Sequence, residues 1–105
     1  MEVVYKMEII KTVKDDVTEL ALIGRLDTTT APELDEVLKE LFANGVKNLV
    51  IDLKQLEYIS SAGLRELLFA QKNIKEDGKM IIKNVNEEIM EVFDITGFTD
   101  ILTIE

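Results

Sequence analysis

Two adjacent serines, a small residue and a glycine, Ser60-Ser61-Ala62-Gly63, stand just ahead of a run of apolar residues at helical spacing. A serine at a helix start has two uses. Its hydroxyl caps the helix, which is worth about 1 kcal/mol. Alternatively it binds or carries a phosphate, whose charge is stabilised by the open N–H groups and the positive end of the helix. A phosphoserine there adds about −1.5 to −2 charges while suiting its own helix. The fold would survive the modification, and a partner facing that surface would feel it. The residues alone leave both uses open.

Other chemistry at this point fails on specifics. Ile59 stands where the first glycine of a G-x-S-x-G elbow would be, and the chain has no histidine to act as its base. No lysine is spaced so as to point to Ser60 or Ser61. There is no phosphate-binding G-x-x-x-x-G-K-[ST] loop and no G-x-G-x-x-G fingerprint. Without cysteine or histidine, thiolate nucleophiles, zinc-thiolate sites and Ser-His-Asp triads are excluded. The acid pairs Asp15-Asp16 and Glu87-Glu88 fall in a turn and in a first helical turn, where solvation and the helix dipole account for them. No calcium-loop pattern occurs. Asp27, in Gly24-Arg25-Leu26-Asp27, follows a strand and suits either an Asx-turn or a place beside the serine turn. The expectation is a protein that is not an enzyme and needs no cofactor or metal.

The chain has 105 residues, 12 Lys and Arg against 21 Asp and Glu, and a net charge of −9. That length makes one domain with a real core. The acidity opposes binding to DNA, RNA and anionic lipid, which need a clustered cationic face. No apolar run approaches the roughly 20 residues of a membrane-spanning helix. Glu2, Lys6 and Glu8 occupy the place of a signal peptide's apolar segment. A cytoplasmic location is expected.

The elements that must hold the serines follow from periodicity. Residues 1–10 and 17–24 read as strands of a hairpin, joined by the Lys14-Asp15-Asp16 turn. After a loop over 24–29, Thr30, Pro32 and Glu33 form a helix start with a capping box. Leu34, Val37, Leu38, Leu41 and Phe42 give that helix its apolar stripe, and Asn44-Gly45 stops it. Residues 48–53 form a continuous apolar run, the mark of a strand buried on both faces. A loop through Tyr58 leads to a second helix over 62–76, ended by Asp77-Gly78. A strand over 79–83, a helix over 87–96 capped by Asn86 and closed by Gly97, and a last strand over 101–104 complete the chain. The order β-β-α-β-α-β-α-β predicts an α/β fold: a mixed sheet with an N-terminal hairpin and helices packed on it.

Three segments together resemble a STAS domain: Gly24-Arg25-Leu26-Asp27, Leu49-Val50-Ile51-Asp52-Leu53 and Tyr58-Ile59-Ser60-Ser61-Ala62-Gly63-Leu64. Phe93-Asp94-Ile95-Thr96-Gly97-Phe98 is similar to the family's closing helix and glycine. The likeness covers nearly the whole chain and is nearest to the free-standing bacterial anti-sigma factor antagonists. It implies partner switching. The unphosphorylated antagonist binds an anti-sigma factor that is also a serine kinase, which frees a sigma factor. Phosphorylation ends the binding, and a phosphoserine phosphatase resets it. With Gly63 fixed, the resemblance puts the phosphoserine at Ser61 and, second to it, at Ser60, which stands where the family usually has an acid. It puts Asp27, Tyr58, Ser60, Ala62, Gly63 and Leu64 at the partner-binding surface. The alternative it leaves is a STAS subunit of a lipid-transport or stress-sensing complex without a phospho-switch.

Overall fold

The computed structural model describes residues 7–105. The elements are β1 (Glu8–Lys14), β2 (Val17–Leu26), α1 (Ala31–Ala43), β3 (Asn48–Ile59), α2 (Ser61–Asn73), β4 (Lys79–Lys83) and α3 (Glu87–Thr96), followed by a 3-10 turn over Phe98–Asp100. The four strands form one sheet in the order β1-β2-β3-β4. The hairpin pair is antiparallel, and β2-β3 and β3-β4 are parallel. The expected mixed sheet is therefore present. The first strand begins later than expected, at Glu8, and the part of that expectation falling on residues 1–6 lies outside the described residues. Asp15, at φ 56°, makes the hairpin turn in a left-handed conformation that aspartate tolerates.

Burial alternates along the strands. In β2, Thr18, Leu20 and Leu22 are buried, and in β3 Leu49, Ile51 and Leu53, while the residues between them are half-exposed. The helices thus cover one face only. This corrects the expectation of a strand buried on both faces: parallel pairing does not need two helical layers in so small a sheet. Leu34, Leu38 and Leu41 of α1, Leu64, Leu67 and Ala70 of α2, and Ile89 and Phe93 of α3 complete the core. The Phe42 and Phe69 rings meet edge to face between α1 and α2 at 6.1 Å.

Several boundaries differ for identifiable reasons. β3 runs on to Ile59, through residues expected to be a loop. α2 stops at Asn73 instead of Glu76, and Lys75–Gly78 make a turn, with the Gly78 N–H donating to the Lys75 carbonyl at 2.8 Å. Gly78 then passes so close to the backbone of Lys47 that a Cβ there would overlap the Lys47 carbonyl oxygen. The glycine serves entry into β4, not the helix stop. The last strand is reduced to one parallel bridge between Ile82 and Ile104. α3 is as expected. The Asn86 Oδ1 accepts from the Ile89 N–H at 2.9 Å, and Gly97 closes the helix at φ 81°.

Candidate functional site

The site is built where β2 and β3 end side by side. Leu26 is paired with Ile59, and Arg25 with Tyr58. Two irregularities in this pairing, between Ala21 and Ile23 and between Gly24 and Arg25, each give β3 one more residue than β2. Such bulges bend a strand and re-aim its side chains. They turn the buried residues of β3 from every second position to every third: Leu53, Leu56, Ile59. The strand then arrives at the serines with Ile59 in the core and Tyr58 outside.

The chain turns at once into α2. The Ser60 N–H donates to the Leu26 carbonyl at 2.9 Å, and its own carbonyl accepts from the Leu64 N–H at 2.9 Å. Ser60 is the N-cap, with Oγ accepting a long bond of 3.4 Å from the Gly63 N–H. Ser61 is the first residue of the helix and is exposed. Its hydroxyl makes no hydrogen bond to another described residue. The two uses of serine read from the sequence therefore fall on different residues: Ser60 caps, and Ser61 presents its hydroxyl to solvent.

Gly63 explains how a helix can start this close to the sheet. A Cβ there would lie 2.7 Å from Leu26 Cγ, 2.8 Å from Ile59 Cγ1 and 3.0 Å from the Leu26 carbonyl oxygen. Gly63 and Leu64 are both buried, Leu64 to 7% exposure. Both stand among the residues expected at the partner-binding surface. Here they seat the helix, and Tyr58 is 41% exposed at the same turn.

Asp27 lies in the turn after β2, next to the Leu26 carbonyl that holds Ser60. Its Oδ1 accepts from the Thr29 hydroxyl at 2.7 Å, the Thr29 N–H at 2.9 Å and the Thr30 N–H at 3.2 Å. These bonds, the Thr29 hydroxyl first, hold its pKa below the ordinary value. The Asx-turn reading is thus realised, in the immediate neighbourhood of the serine turn. Thr30 is buried and bonds inward: its Oγ1 donates to the Arg25 carbonyl at 2.8 Å and accepts from the Asp27 N–H at 2.9 Å. It stands at the N-cap of α1 but makes no side-chain cap bond, so the expected capping box is absent. The Asp27 turn has taken its hydroxyl. Arg25 lies with its guanidinium 4.2 Å from the centre of the Tyr58 ring and Nε 3.8 Å from Asp27 Oδ2. This cation–π contact is absent from the sequence reading, because it depends on the register of the parallel pair.

A groove beside Ser61 runs between the starts of α1 and α2, lined by Thr28, Ala31, Pro32, Asp35, Ala62, Arg65 and Glu66. Inside it the carboxyls of Asp35 and Glu66 come close enough to share a proton. Glu66 Oε1 is buried and meets no hydrogen-bond donor among the described residues. Lys39 Nζ lies 2.7 Å from Asp35 Oδ2 and keeps that carboxyl ionised and below its ordinary pKa. Burial, then the bond to Asp35 and its charge, push Glu66 up to about 7 from 4.5. The folded state thus holds a proton that the unfolded chain releases. The resulting stability is complete below pH 4.5 and is lost as pH rises through 7. Because water still reaches much of Glu66, the effect is set at about 1 kcal/mol. The melting temperature should therefore fall by about 5 °C between pH 5 and pH 8. Glu66→Gln, which keeps a donor toward Asp35, should abolish the fall. With no histidine in the chain, the slope has no other ordinary side-chain source in that range. An unchanged slope in Glu66→Gln would refute the shared proton.

Among the described residues no group of three or more acidic side chains could hold a metal ion, and no helix is long and apolar enough to cross a membrane. The sequence model of the STAS domain matches residues 8–105. The chain belongs to the STAS family. An anti-sigma-B factor antagonist of Staphylococcus aureus is 32% identical over 92 residues, covering 87% of this chain and 85% of the relative. Among solved structures, an anti-sigma factor antagonist from Mycobacterium paratuberculosis superposes with a TM-score of 0.90 at 20% identity, over 99% of this chain and 89% of that one. The Bacillus cell fate determinant SpoIIAA in its phosphorylated form superposes with a TM-score of 0.73 at 16% identity, over 95% and 91%. At these identities the structures establish the fold.

Proposed function

We propose that this STAS protein is an anti-sigma factor antagonist whose unphosphorylated form binds an anti-sigma factor with serine kinase activity and so releases a sigma factor. Phosphorylation of Ser61 ends the binding, and a phosphoserine phosphatase restores it. The contact surface comprises Tyr58, Ser61, Ala62 and the Asp27 turn. The observation that carries the reading is the division between the two serines: Ser60 is used up in capping, while Ser61 is exposed at the first position of α2. The names of the relatives support the antagonist role, and a protein of the same fold in a phosphorylated form supports the reading of a phosphorylated serine. In the transfer, Ser61 Oγ bonds to the γ-phosphorus of ATP, the bond to the ADP oxygen breaks, and the hydroxyl proton passes to the kinase.

The test is affinity capture from lysate of the source cell with this protein as bait, followed by washing with Mg-ATP. An ATP-binding kinase that is captured, then released as one phosphate forms on Ser61, supports the proposal. Partners retained through the ATP wash, with both serines unmodified, overturn it and make the protein a fixed subunit of a transport or stress-sensing assembly.

A further inference from the structure

We propose that Arg65 is the residue that holds the phosphate once Ser61 carries it, a positioning role that rests on the reading of Ser61 as the modified serine. Both residues belong to α2 and both are exposed. Residues four apart share one helix face, with Cβ atoms about 5–6 Å apart. Long side chains on a helix lean toward its N-terminus, so Arg65 covers the turn that begins with Ser61.

Arg65 makes no salt bridge among the described residues, although it shares the groove with Asp35 and Glu66 and its charge acts on the Glu66 carboxyl. The residues three and four away from Arg65 are Ser61, Ala62, Leu68 and Phe69. Its neighbour Glu66 is drawn toward Asp35 on α1, and Asp35 is held in turn by Lys39. Among the described residues, no acid lies within ion-pair distance of Arg65. Arg25, the other guanidinium at this end of the sheet, is engaged with Tyr58 and Asp27. A phosphate on Ser61 would meet the planar fork of Arg65, which binds phosphate through two parallel N–H···O bonds. Ser60 is five residues from Arg65 and turned into the cap, off that face. The pairing therefore selects Ser61 over Ser60 as the serine whose phosphate is retained.

The experiment is a phosphorus NMR titration of protein with phosphoserine installed at position 61 during translation. It is run on the otherwise native chain and on Arg65→Gln and Arg65→Lys. The second ionisation of phosphoserine falls ordinarily near pH 6. With Arg65 in place it should lie roughly 0.3 to 0.6 pH unit lower than in Arg65→Gln, and Arg65→Lys should recover part of the shift. Phosphoserine at position 60 should titrate independently of Arg65. Equal midpoints for position 61 in the native chain and Arg65→Gln would overturn the inference. Because the phosphate is installed without a kinase, this result is separate from the ATP-wash experiment, whose failure would strike the functional reading instead.

Discussion

Ser61→Asp is expected to weaken the complex with the captured kinase at least about 100-fold, with the melting temperature within a few degrees of the native value. The two halves of this expectation have one cause. Ser61 is the first residue of α2, where a carboxylate meets the positive end of the helix and gains about 0.3–1 kcal/mol. The fold therefore loses nothing. The same carboxylate lies on the exposed turn that follows Tyr58, and even beside Arg65 a charge desolvated in a contact that offers it no cation costs several kcal/mol. About 2.7 kcal/mol already gives 100-fold. A true phosphoserine, with up to twice the charge, should do more. Ser60→Ala serves as the contrast: it removes a cap, should cost about 1 kcal/mol of stability and should leave affinity nearly unchanged. Calorimetric titration of the three proteins decides the matter. Equal affinities for the native chain and Ser61→Asp would remove Ser61 from the interface.

How far such a site can be read from a sequence is visible in its own residues. The strand over 17–24 and the helical spacing in 34–42 were legible, because one face of each element meets the core, although β2 runs on to Leu26. The second half of β3 was not legible. Lys54-Gln55 and Glu57-Tyr58 interrupt the period of two, and only the bulged pairing with β2 makes Leu53, Leu56 and Ile59 a continuous buried row. Thr30 had the right type for a cap, but a hydroxyl can serve only a few partners, and the Asp27 turn lay nearer. Ser60 and Ser61 could not be told apart, since one residue's difference in where α2 begins reverses their roles. Asp35 and Glu66 are 31 positions apart, and no local pattern announces a proton shared between two helices.

Gly63→Ala should destabilise the protein by about 1–3 kcal/mol, lowering the melting temperature by roughly 5–13 °C. Elsewhere in a helix this substitution is favourable by about 0.5–1 kcal/mol. Here the new methyl would sit 2.7 Å from Leu26 Cγ and 2.8 Å from Ile59 Cγ1, inside contact distance of two buried side chains. Neither is the free end of a flexible chain, so α2 must move away from the strands. That movement strains the Ser60 N–H bond to the Leu26 carbonyl, which sets where the helix begins and so how Ser61 is presented. A double-mutant cycle separates this contact from any general intolerance of position 63. Leu26→Ala removes the Cγ atom that the methyl would strike, while creating a cavity of its own. If the clash is the cause, the double variant is more stable than the sum of the two singles by about 1 kcal/mol or more. Additive losses would mean that the helix start is held by something other than its close approach to Leu26. Ser61 would then owe its exposure to the cap alone.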